Sequence, residues 1–184
     1  QKTSIKESMK RIFLIGYMGA GKTTLGKVLA REMGLAFYDL DDYIEARCHQ
    51  TIPEIFAEKG EEGFREVEKT MLHEVAEFEN VVLSCGGGTP CFFDNMEYLN
   101  DCGDTVFLSA APAVLKEHLL MGKNQRPLIQ GKTPTELEDF ICTSLQKRLP
   151  FYQRAKHVIN IEVIHTEEEI KSYVDQITSM VNQH

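Results

Sequence analysis

From Arg11 onward, short apolar runs alternate with longer segments whose apolar residues recur every three or four positions. That alternation is the pattern of a parallel sheet covered by helices. RIFLI (Arg11–Ile15) predicts a first strand, and Lys22–Met33 a helix that Gly34 closes. AFYD (Ala36–Asp39) predicts a second short strand. Helices are expected over 52–57 and 62–78, the latter with Phe64, Val67, Met71, Leu72 and Val75 at helical spacing. VVLS (Val81–Ser84) is the third strand, and TVFL (105–108) the fourth. A short helix over 113–120, a polar stretch over 122–132 and a helix over 135–153 follow. A last strand at 158–161 and a terminal helix over 167–181 complete the count. Five strands with intervening helices predict a doubly wound α/β domain with a parallel sheet.

Composition narrows the picture. At 184 residues and 42% hydrophobic content, the chain supports one core and one domain, expected over 9–184. Residues 1–8 are polar and patternless, and are expected to be an appended remnant with no role in the fold. No stretch approaches the roughly 18 apolar residues that a membrane span needs, so a cytoplasmic protein is expected. A net charge of −8 sets the global field against nucleic acid and acidic membranes, so an anionic ligand needs a local positive cluster. Cys48, Cys85, Cys91, Cys102 and Cys142 form no C-x-x-C pair, which reads as free thiols in a reducing compartment. Six histidines are scattered without an evident catalytic partner.

The first strand runs straight into GYMGAGKT, from Gly16 to Thr23, which fits G-x-x-x-x-G-K-[ST] between a strand and a helix. Gly19 and Gly21 let the backbone curl so that its N–H groups, with Ala20 between them in the nucleotide-binding set, face a phosphate, with the positive end of the helix behind them. Lys22 supplies a mobile charge for the β- and γ-phosphates of ATP, and the Thr23 hydroxyl, followed by Thr24, can ligate Mg²⁺. GTPases, ATPases and kinases all carry such a loop, so the loop alone leaves the chemistry open.

Other segments point to a second site. Asp39, Asp41 and Asp42 end the second strand at the carboxyl edge of the sheet. Strand alternation would put Asp39 and Asp41 on one face, one toward metal-bound water and one toward a substrate hydroxyl. Helix capping by Asp41 or Asp42 is the plain alternative. Gly86, Gly87 and Gly88 follow the third strand and permit close backbone approach to a ligand. Arg65 and Arg148, taken singly, read as solvated arginines.

In combination, GYMGAGKTTLGKVLA, FYDLDDYIE, IPEIFAEKGEEGFREVE, LSCGGGTP, QRPLI and KRLPFY resemble shikimate kinases in order and spacing, over residues 10–161. The resemblance implies a P-loop kinase fold that phosphorylates the 3-hydroxyl of shikimate, a step toward chorismate and the aromatic amino acids. It makes Asp41 the partner of the reacting hydroxyl, and Arg65 and Arg148 a clamp on the substrate carboxylate. It places the backbone of Gly86, Gly87 and Gly88 against the ring, and Asp39 on Mg²⁺ through water. Arg126 becomes the arginine of a mobile lid over about 121–132, closing on ATP, and the substrate region falls at about 40–70. Many relatives carry an Arg about seven residues before the lid arginine, where it can stack on adenine; here Leu119 stands there, after His118. The expected partners are ATP and shikimate, with the chain acting as a monomer. Two alternatives stay open: a kinase for another hydroxy acid such as gluconate, and an ATP-dependent switch without turnover.

Overall fold

The structure, a computed structural model, describes residues 9–122 and 131–183. Five parallel strands stand in the order β2-β3-β1-β4-β5. β1 is Arg11–Ile15, β2 Ala36–Asp39, β3 Val81–Ser84, β4 Asp104–Ser109 and β5 His157–Asn160. Ile12, Phe13, Leu14 and Ile15 are all fully buried, as the continuous apolar run of a central parallel strand requires. Because β1 leads away to β2 on one side while β3 leads on to β4 on the other, the loops after β1 and β3 diverge. The crevice between them is the topological switch point where open α/β sheets bind ligands.

α1 (Lys22–Met33) starts at Gly21 and ends at Gly34, whose φ of 69° closes the last turn while the Leu35 amide donates to Ala30 O at 2.8 Å. α4 (Asn95–Cys102) packs on β4, α6 (Pro134–Tyr152) on α5 (Pro112–Met121), and α7 (Glu167–Asn182) on α1. Thr133 opens α6 with a reciprocal capping box to Glu136. No helix among the described residues is long and apolar enough to cross a membrane. All five cysteines are free thiols.

Three elements differ from the sequence reading. The second strand stops at Asp39, and Leu40–Cys48 forms a helix, α2, so strand alternation does not relate Asp39 to Asp41. Asp39 itself is the N-cap: its Oδ1 accepts from the Asp42 amide at 3.1 Å, and the capping role falls on neither Asp41 nor Asp42. The two expected helices over 52–57 and 62–78 are both present, but they abut at a kink at Gly60 and the second ends at Val75; together they are α3 (Ile52–Val75). Gly60 sits at φ 70° and ψ −178°, a region essentially confined to glycine, so the kink is fixed by that residue. α4 had no counterpart in the reading; an eight-residue helix with polar residues at Asn95, Glu97, Asn100 and Asp101 leaves little periodicity to find.

Candidate active site

The loop after β1 has the curl its glycines allow. Gly16, Gly19 and Gly21 hold φ of 152°, 84° and 100°, all on the positive side. Lys22 folds back over the loop, its Nζ donating to Gly16 O at 2.5 Å and Tyr17 O at 3.1 Å. On the next turn, Thr23 Oγ1 donates to Asp39 Oδ2 at 3.4 Å, joining the start of α1 to the start of α2. Beside the loop lies a cleft of about 450 Å³, lined by Gly19, Gly21, Lys22, Thr23, Thr24, His118, Met121 and the stretch 164–167. Leu119 packs under Gly19, its Cγ 3.0 Å from where a Cβ would stand.

The three glycines after β3 are the centre of the second constellation. A Cβ on Gly86 would stand 3.4 Å from Asp41 Oδ1, one on Gly87 3.0 Å from Arg148 Nη1, and one on Gly88 2.7 Å from Arg65 Nη2. One carboxylate and two guanidinium groups, from α2, α6 and α3, therefore converge on a turn of bare backbone. The same turn touches the phosphate loop, since the Gly87 position lies 3.5 Å from Met18 N and 3.7 Å from Gly16 O. Gly88 has φ −91° and ψ −13°, open to any residue, so glycine is needed there for space and not for conformation.

Each arginine is held. Arg65 Nη1 pairs with Glu68 Oε1 at 2.9 Å, and its guanidinium lies 4.0 Å from the centre of the Phe92 ring. Glu68 is 1% exposed; its other oxygen accepts from Thr89 Oγ1 at 2.9 Å, so the buried carboxylate is compensated on both sides. Arg65 Nε is buried without a hydrogen-bond partner among the described residues. Arg148 sits over the Tyr17 ring at 5.3 Å, and Tyr152, at the end of α6, donates its hydroxyl to Gly87 O. Burial pushes the Tyr152 hydroxyl up, against the lowering effect of Arg148, so it stays protonated and remains a donor. Burial likewise pushes the Cys85 and Cys91 thiols up, with the nearby cations Lys22, Arg148 and Arg65 opposing. The Asp42 carboxyl is raised by burial first, then by the charges of Asp39 and Glu45.

Thus Lys22, Thr23 and Asp39 fall together at the phosphate loop, and Asp41, Arg65 and Arg148 gather at the three glycines after β3. Arg126 and residues 123–130 of the lid expected over about 121–132 lie outside the described residues. Glu68, Thr89, Phe92, Tyr17, Tyr152 and His118 were not singled out from the sequence. Glu68 carried a signal, standing one helical turn after Arg65 on the same face.

Among the described residues no three His, Cys, Asp or Glu gather as a metal cage. A Thr hydroxyl and one carboxylate at a phosphate loop suit Mg²⁺, which prefers one or two protein groups completed by water and substrate phosphates.

The sheet, the phosphate loop and its flanking helices define a P-loop kinase fold, with one carboxylate and two guanidinium groups gathered on the turn beside the loop. The family profile described as shikimate kinase matches residues 18–181. The shikimate kinase of Phocaeicola vulgatus is 61% identical over 175 residues, covering 95% of this chain and 100% of that protein. The crystal structure of shikimate kinase from Bacteroides thetaiotaomicron superposes with a TM-score of 0.93 at 54% identity, covering 96% of this chain and 100% of that one. That of Acinetobacter baumannii, in complex with shikimate, gives 0.81 at 33% identity, covering 95% and 94%. The chain belongs to the shikimate kinase family. A gluconokinase from Sinorhizobium meliloti shares the fold alone, with a TM-score of 0.56 at 15% identity over 94% of this chain and 93% of that one.

Proposed function

We propose that the chain transfers the γ-phosphoryl group of ATP to a hydroxyl of shikimate, acting as a monomer. The observation that carries the reading is the meeting of Asp41, Arg148 and Arg65 on Gly86, Gly87 and Gly88, against the phosphate loop. Two forked guanidinium groups suit a planar carboxylate, and a turn without side chains lets a compact ring lie flat against backbone. An ATP switch has no use for such a clamp.

Phosphoryl transfer asks mainly for positioning and for positive charge around the γ-phosphate. The loop amides and the start of α1 receive the phosphates, and Lys22 moves from its loop carbonyls onto them. Thr23 and, through water, Asp39 would hold Mg²⁺. When bound, the ion neutralises phosphate charge and helps align the β- and γ-phosphates. Arg65 and Arg148 fix the acid's carboxylate and thereby aim its hydroxyl. Asp41 accepts the proton of that hydroxyl as its oxygen bonds to the γ-phosphorus; the bond from phosphorus to the bridging oxygen breaks, and ADP leaves. Arg126, by the family pattern, joins the γ-phosphate from the lid. A coupled ADP-release assay with shikimate, gluconate, quinate and no acceptor tests the proposal. Turnover confined to shikimate is expected, and equal turnover with gluconate overturns it.

A further inference from the structure

In the cleft beside the phosphate loop, the loop itself faces the segment between β5 and α7 that contains Ile164, and the end of α5 forms the wall between them. One side chain is bonded to both. In the last turn of α5, His118 Nδ1 lies 2.7 Å from Gly19 O, and His118 Nε2 lies 2.9 Å from the Ile164 amide nitrogen. A carbonyl can only accept and an amide N–H can only donate. Nε2 is therefore the bare acceptor and Nδ1 carries the proton, so one neutral tautomer satisfies both contacts.

The bond to Gly19 acts on a peptide plane that matters. Gly19 O and the Ala20 N–H belong to the same planar unit, and they point in opposite directions. The Ala20 amide donates to Tyr17 O at 3.1 Å, so with His118 on the carbonyl the plane is pinned at both ends. Gly19 at φ 84° has no Cβ to resist rotation of that plane. A flipped plane would break the Ala20–Tyr17 bond and set the Gly19 carbonyl against the Tyr17 carbonyl, undoing the curl of a loop whose use is to receive anionic phosphate. At the other end of the imidazole, Ile164 Cδ1 lies 3.3 Å from where a Cβ on Gly21 would stand, so the anchored segment presses on the loop as well.

We propose that His118 is a positioning residue for the nucleotide: it locks the Gly19–Ala20 peptide and sets the spacing between the phosphate loop and the facing wall. The inference rests on the reading that this cleft takes Mg·ATP.

Three variants separate the two bonds. His118→Leu removes both, His118→Asn keeps an amide donor near the Nδ1 position, and His118→Gln keeps a carbonyl acceptor near the Nε2 position. Mg·ADP affinity is measured by calorimetry, the KM of each substrate at saturation of the other, and Tm on each variant. His118→Leu is expected to weaken Mg·ADP binding and raise the ATP KM roughly five- to thirtyfold, the worth of two modest hydrogen bonds. The shikimate KM should move less than about twofold, with the Asn and Gln variants falling between Leu and wild type. If the Leu variant does not fold, the Asn and Gln variants carry the test, each expected to raise the ATP KM about two- to fivefold. Wild-type nucleotide affinity in all variants that fold overturns the proposal. So does a parallel rise in both KM values with a lowered Tm and no recovery by Asn or Gln, which is the mark of a merely structural role. Failure of the wild-type protein to bind Mg·ADP would instead sink the reading of the cleft, and the proposal with it.

Discussion

Gly88→Ala adds one methyl group, and its effect should fall on the acid and not on ATP. Ala adopts φ −91° and ψ −13° without strain, so the backbone has no reason to move. The new Cβ would stand 2.7 Å from Arg65 Nη2, 3.0 Å from Nη1 and 3.1 Å from Cζ. Carbon and nitrogen rest at about 3.5 Å, so the guanidinium must retreat by roughly 1 Å. It is not a loose end, because Glu68 and Phe92 hold it from the other sides. A displacement of that size costs the forked contact with the substrate carboxylate, about 1.5–3 kcal/mol for a charge-assisted hydrogen bond, or roughly 10- to 150-fold in affinity. A coupled assay should show the shikimate KM raised by about that factor, with ATP affinity measured without acid unchanged. In an Arg65→Ala background the same methyl should have almost no further effect, since the group it displaces is gone. A shikimate KM within twofold of wild type in folded Gly88→Ala protein would refute the placement of Arg65 on the substrate.

Four further outcomes are expected. Lys22→Ala removes the mobile charge of the phosphate loop and should lower turnover at least ~30-fold, from a loss of ~2 kcal/mol; more than a third of wild-type activity would be incompatible with its role. Asp41→Asn should lower kcat by ~10²–10⁴, toward the low end for a loose transition state, while calorimetry finds Mg·ATP binding intact; loss of nucleotide binding would mean Asp39 and Asp41 exchange roles. Gly60→Ala forces a Cβ into φ 70° and ψ −178°, and should cost ~1–3 kcal/mol, seen as a Tm lowered by roughly 2–10 °C; an unchanged Tm would mean the kink relaxes freely. Burial holds the Cys85 and Cys91 thiols protonated above the usual range, so alkylation followed by mass spectrometry at about pH 8.5 should label both more slowly than free cysteine, with labelling rising as pH increases; labelling of Cys85 as fast as free cysteine would contradict its burial.

What the sequence made legible follows from how local each signal is. The phosphate loop is a contiguous string whose geometry is dictated by its own glycines, so its strand, turn and helix could be read directly. Strand order and the pairing of distant arginines are not local. Arg65 stands in α3 and Arg148 in α6, and only the sheet brings both to the turn after β3. The family resemblance supplied that pairing where periodicity could not. The misreading beyond Asp39 has a plain cause: the aspartate that ends β2 is also the cap of α2, and nothing in residue identity marks the change from strand to helix until the amide of Asp42 is seen to need an acceptor. His118 was opaque for the same reason, since both of its partners are backbone groups, and a main-chain carbonyl or amide leaves no trace in residue identity.

The ladder between β1 and β3 works as a ruler. Leu14 is in register with Ser84, and the Cys85 amide donates to Leu14 O at 3.0 Å, so hydrogen bonding runs up to the point where the two loops part. On the proposed reading, donor and acceptor are received by loops that leave adjacent strands about 4.8 Å apart, a separation set by main-chain bonding. The acceptor groups on α2, α3 and α6 can drift in sequence, and with them the preference for one acid over another, without changing the reach from phosphate to hydroxyl. Conversely, a change that loosens this one ladder should blunt transfer to every acceptor alike, leaving selectivity where it was.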